Sequence, residues 1–89
     1  MLTKVARIER LAGFRLRVQF SDGSEGLRDF TTMVNEPGPM LEPLRDEKYF
    51  SRVFLEFGAP TWPNGFDIAP EWLRREMEAA GELTRVAAE

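Results

Sequence analysis

The chain has 89 residues, 43% of them hydrophobic, and a formal net charge of -3; that length leaves room for one domain over residues 1–89 with one modest core, and the strands and helices expected along it make it α+β. It has neither cysteine nor histidine, so disulfides, thiolate metal sites and the commonest catalytic bases and nucleophiles are excluded. The acidic balance argues against general nucleic-acid affinity, which rests on clustered cations.

Residues 1–10 lack the apolar run of a signal peptide, and no stretch approaches the roughly 18 apolar residues of a membrane span. A cytoplasmic, membrane-free protein is the expectation. Charge is uneven along the chain: residues 1–28 hold six basic and three acidic side chains, residues 29–89 six basic and twelve acidic. A basic end of this kind can be matched internally or by an acidic partner.

Residues 4–9 and 15–20 read as two strands. Leu16, Val18 and Phe20 alternate with Arg15, Arg17 and Gln19 at the period of two required by a half-buried sheet. The connection Leu11-Ala12-Gly13 suits a three-residue loop ending in a left-handed glycine. That loop sets Ile8 opposite Leu16 and Ala6 opposite Val18, whereas a two-residue loop would turn apolar groups outward. Asp22-Gly23 predicts a two-residue turn into a third strand over residues 25–30. Val18 then pairs with Leu27 on the buried face and Arg17 with Arg28 on the exposed one, completing a three-stranded meander. Asp29 is placed to cap the turn that follows.

Residues 30–34 allow one helical turn, and Asn35-Glu36-Pro37-Gly38-Pro39 is an irregular linker, the segment best suited to movement. Residues 40–44 and 46–50 each suit a short helical turn, with Leu41, Leu44, Tyr49 and Phe50 inward. Residues 52–57 form a fourth strand in which Val53, Leu55 and Phe57 share one face, and Gly58-Ala59-Pro60 ends it. Trp62-Pro63-Asn64-Gly65 matches a type I turn.

A helix begins at Pro70, whose missing N–H is not needed at the first helical position. Asp67 is expected near the free N–H groups of that helix start. Ala69, Leu73, Met77 and Ala80 form its apolar stripe, Trp72 flanks it, and Glu71–Arg75 and Arg74–Glu78 are i,i+4 pairs. Gly81 ends the helix, leaving residues 82–89 as a second short helical turn or a frayed tail. The stretch from Thr61 to Leu73 is thus the clamp that folds the C-terminal helix onto the sheet.

Several of these residues carry a family likeness. Phe20-x-Asp22-Gly23, Gly26-x-x-Asp29-Phe30, Leu44-x-Asp46, Phe50 and above all Trp62-Pro63-Asn64-Gly65-Phe66-Asp67-Ile68-Ala69-Pro70 make the chain resemble the bacterial domain-of-unknown-function 2442 family over residues 5–73. The resemblance implies a small α+β domain without assigned catalytic residues. It also implies a two-gene setting beside another small protein, an arrangement like that of toxin and antitoxin pairs. Some relatives add a helix-turn-helix domain downstream; the sixteen residues after Leu73 are too few for one, so a direct repressor role is not expected.

No Gly-rich phosphate loop, nucleophile elbow or paired-carboxylate helix motif occurs, so no catalytic residue, cofactor or metal site is expected. Asp22, Asp29 and Asp67 could offer oxygen ligands, but a turn or cap explains each. Trp62 and Phe66 suit the core, while Trp72, beside the helix stripe, is placed for exposure. The deduced registers line up Arg7, Arg17 and Arg28 across the open face, and facing like charges cost about 0.2–1 kcal/mol per pair. Glu9, Glu25 or the acidic C-terminal segment compensates them, the side chains splay into water, or a ligand binds the row. The sequence therefore points to a non-enzymatic protein-interaction module, antitoxin-like, binding another small protein through Arg7, Arg17, Arg28 and Trp72. The alternative is nucleic acid or a small anion on the basic outer face, and a homo-oligomer is compatible with either.

Overall fold

The computed structural model describes residues 2–85. Three strands come first: β1 (Val5–Arg10), β2 (Arg15–Phe20) and β3 (Ser24–Asp29). Three helical turns follow, α1 (Thr31–Val34), a 3-10 turn (Glu42–Arg45) and α2 (Glu47–Phe50), then a hairpin of β4 (Phe54–Glu56) and β5 (Ala59–Thr61). Helix α3 (Pro70–Ala79) leads to β6 (Leu83–Arg85). The main sheet is antiparallel in the order β1-β2-β3-β6, and β4 and β5 form a separate two-stranded sheet. The α+β class, the meander and the C-terminal helix packed on the sheet are as the sequence implies.

Both hairpin registers differ from the expected ones, with unequal consequences. In the first, Ile8 faces Val18 and Glu9 faces Arg17, because the loop slides to Ala12-Gly13-Phe14 and the Leu11 N–H donates to the Arg15 carbonyl at 2.9 Å. Phe14 is drawn into that loop by edge-on packing against Phe50, with ring centroids 5.2 Å apart. The slide moves the pairing by two residues, so the faces are kept. An irregularity in β1 between Val5 and Arg7 leaves Ala6 exposed rather than opposite Val18.

In the second hairpin Leu16 faces Arg28, Arg17 faces Leu27 and Val18 faces Gly26. The Asp22 carboxylate accepts hydrogen bonds from the Ser24 N–H (2.9 Å) and hydroxyl (2.6 Å), and Gly23 takes a left-handed φ of 90°. These bonds stabilise a three-residue turn with a terminal left-handed glycine in place of the two-residue one. The pairing therefore moves by one residue and β3 turns over. Leu27 points outward, 45% exposed, and Arg28 joins the face covered by α3.

The covered face supplies Val5, Leu16, Val18 and Phe20 to a core completed by Phe30, Val34, Leu41, Leu44, Phe50, Trp62, Ile68, Leu73 and Met77. Trp62 is fully buried and its indole N–H donates to the Phe50 carbonyl at 2.9 Å, so its one polar group is satisfied. Gly65 N–H closes the Trp62 turn on the Trp62 carbonyl at 2.8 Å, and the Asn64 carboxamide donates to the Met40 carbonyl at 3.0 Å. Arg45 donates to the carbonyls of Val34 (2.6 Å) and Glu36 (2.8 Å), tying down the start of the proline-rich linker.

Pro70 occupies the first turn of α3 as expected, but no side chain caps it. Asp67 is held in a strand bridge to Thr61, which leaves it exposed instead of at the helix start. The buried stripe of α3 narrows to Leu73 and Met77; Ala69 and Ala80 are exposed. At the far end Gly81 (φ 72°) lets the Glu82 N–H reach the Met77 carbonyl at 2.9 Å and its own N–H reach Glu78 at 3.1 Å, the six-to-one and five-to-two bonds of a Schellman stop.

The fourth strand is shorter than the expected 52–57 and pairs with β5, formed from the stretch expected to end it. Phe57, expected to continue the strand on one face with Val53 and Leu55, instead forms a two-residue left-handed turn with Gly58 (φ 52° and 80°) and is 90% exposed, because that turn tip reverses the chain. Beyond Gly81, residues 83–85 are a strand on the edge of the main sheet, not a helical turn. It pairs Leu83 with Gly26. The expectations for residues 86–89 lie outside the described residues.

Candidate functional site

The four residues singled out in the sequence fall on two different surfaces. Arg7 and Arg17 stand on the open face of the sheet; Arg28 and Trp72 meet on the other side, where α3 crosses the end of β3. No row of three arginines exists.

On the open face, Arg7, Glu9, Arg17, Gln19 and Glu25 line a groove of about 410 Å3. Arg7 faces Gln19 and Arg17 faces Glu9, so the like charges expected to oppose each other do not. Arg17 lies 3.4 Å from Glu9 and 3.5 Å from Glu25. Both carboxylates of the groove thus reach Arg17, whose compensation is internal, while Arg7 has no ion pair among the described residues.

The second surface is a cleft of about 210 Å3 lined by β3, α1, α3 and the segments joined to them. Trp72, 42% exposed, and the half-buried Met33 give it apolar walls. Asp29, Glu36 and Glu76 put carboxylates around it, with Arg28 as the cation. Arg28 is committed: it lies 2.9 Å from Glu82 and 3.9 Å from Glu76. These contacts tie β3 to α3 and to the residue after its stop. The cleft is therefore apolar at its wall and acidic at its rim. Sequence reasoning found Trp72 and missed Met33, Glu36 and Glu76. No local signal marked Met33 and Glu36, which belong to a one-turn helix whose N-cap residue offers no side-chain cap and to the linker after it.

The model of the family described as "Protein of unknown function (DUF2442)" matches residues 5–79. The chain belongs to this family. No curated protein and no solved structure matches it. Every residue that lines the cleft lies within the matched DUF2442 span, while β6 lies beyond it.

The turn carboxylates of this DUF2442 chain have structural partners. Asp22 is lowered from 3.8 to about 2, mainly by the Ser24 hydroxyl and N–H, with help from the Arg74 guanidinium at 2.9 Å. Asp29 is also lowered, by the Thr31 hydroxyl and N–H that it accepts from and by the charge of Arg15 across the strand. Asp29 thus caps the following turn, as the sequence implies. Among the described residues no group of three or more acidic side chains is arranged to hold a metal ion, and no helix is long and apolar enough to cross a membrane.

Proposed function

We propose that this DUF2442 chain is a non-enzymatic protein-interaction module that docks its partner in the Trp72 cleft. The observation that carries the reading is a large aromatic side chain, 42% exposed, on the wall of a concave surface. Tryptophan is the residue most enriched among binding hot spots, where an anchor in a pocket carries most of the energy. The acidic rim fits a segment with an apolar anchor flanked by cations. The finer reading, an antitoxin-like half of a two-gene pair acting in the cytoplasm on a small protein from the adjacent gene, rests on the family likeness.

The non-enzymatic part is supported by chemistry. The sequence has no histidine or cysteine, and Asp22 and Asp29 hold N–H groups of their own turns. Nucleic acid or a small anion on the outer face is the weaker reading, because Arg28 has left that face and Arg17 is matched by two carboxylates. The test is a calorimetric titration with the purified product of the neighbouring gene. Trp72→Ala should weaken the complex by about 30-fold, the effect of losing about 2 kcal/mol at a hot spot. Absence of a complex with the native chain, or an unchanged affinity in the variant, would contradict the reading.

A further inference from the structure

The main sheet leaves part of one edge open, and the charges on that edge are self-complementary. In β1 the Leu11 N–H points to β2, donating to Arg15. By the alternation of an antiparallel ladder, the N–H and C=O of Glu9 also point to β2, and those of Ile8 and Arg10 point away. At Val5 the outward N–H is taken by the Gly58 carbonyl at 2.8 Å, so the β4–β5 turn closes the edge there. Among the described residues nothing hydrogen-bonds the outward backbone groups of Ile8 or Arg10. The middle of this free edge reads Arg7-Ile8-Glu9: a cation, a half-buried apolar residue and a carboxylate. No ion pair of Arg7 occurs among the described residues, and the Glu9 side chain remains 65% exposed beside Arg17.

We propose that β1 pairs antiparallel with β1 of a second copy of this chain about a two-fold axis at Ile8. The two Ile8 residues exchange N–H to carbonyl hydrogen bonds across the axis. Arg7 of each copy then lies directly opposite Glu9 of the other, giving two cross-strand ion pairs by symmetry. A register centred on Glu9 would also use the outward backbone groups, but it sets the two Glu9 carboxylates face to face; charge selects the Ile8 register. The irregularity at Ala6 and the Gly58 contact stop the ladder at the start of β1. The contact is therefore short and closes on itself as a dimer. The Trp72 cleft contains no residue of β1, so the dimer stands or falls independently of partner binding.

Sedimentation equilibrium on the native chain and on Arg7→Glu and Glu9→Arg tests the pairing. The native chain should dimerise, each variant alone should dimerise about tenfold more weakly or worse, and an equal mixture of the two variants should recover native-like association. Each lost pair becomes a repulsion and occurs twice. Recovery in the mixture cannot arise from misfolded variants. A native chain that stays monomeric at millimolar concentration, variants that dimerise as well as native, or a mixture that does not recover would each overturn the proposal.

Discussion

The two faces of the main sheet treat their charged residues in opposite ways. On the open face Arg17 is balanced by Glu9 and Glu25 at 3.4 and 3.5 Å, exposed pairs of the kind worth little in water. On the covered face Arg28 bridges to Glu82 at 2.9 Å and Arg74 to Asp22 at 2.9 Å, joining the sheet and its turn to α3 and to Glu82 beyond its Gly81 stop. The open-face pairs link neighbouring strands within the meander; the covered pairs tie α3 to the sheet and its turn, and hence shape the Trp72 cleft. An arginine's role here is set by the parity of its strand register.

Gly26 should show the largest difference between the faces. A Cβ there would fall inside the Glu82 backbone carbonyl and 3.2 Å from the Met77 Cε, so the strand has to admit another backbone at this point. Gly26→Ala should cost about 3 kcal/mol, the upper end for overpacking a filled core, measured by urea unfolding. A loss below about 0.5 kcal/mol, the range of an ordinary surface substitution, would mean that β6 and α3 do not sit against β3 as described.

Asp22 links the turn of the covered face to α3, and its effect should depend on pH. Its pKa is lowered on folding, so it stabilises the fold fully above 3.8 and loses that contribution as the pH falls through about 2. Asp22→Asn should therefore lower Tm at neutral pH, with the gap to native closing as the pH drops through that window. A gap that is constant with pH would contradict the assignment. The smallest effect is expected on the open face: Arg17→Ala should change stability by less than about 0.5 kcal/mol by the same unfolding measurement. A larger loss would mean that the Glu9 and Glu25 contacts hold the meander together.

The sequence made the clamp from Thr61 to Leu73 legible because its signals are local: Pro63 and Gly65 suit the turn and Pro70 the helix start. Gly81 marked the helix end on the same grounds. Strand pairing was less legible because it turns on tertiary contacts. Phe14 shifts the first loop by packing on Phe50, and the two-residue slide preserved the faces. The Asp22 carboxylate bonded to Ser24 lengthens the second turn by one residue, enough to send Leu27 out and Arg28 in. Strand β5 was hidden by Pro60, whose carbonyl nevertheless accepts the Ile68 N–H at 3.0 Å. Strand β6 is three residues long, too short for a periodicity to show. The cleft was half visible: Trp72 stood out by its offset from the helix stripe, but its neighbours Met33 and Glu36 come from a one-turn helix and the linker after it.

The most direct test of the two-face account is a side-by-side calorimetric comparison of Trp72→Ala and Arg17→Ala, each titrated with the product of the neighbouring gene. With docking in the cleft, the first should lose about 30-fold in affinity and the second less than about twofold. An Arg17→Ala variant that loses the partner while Trp72→Ala retains it would place the interaction on the open face and contradict the account.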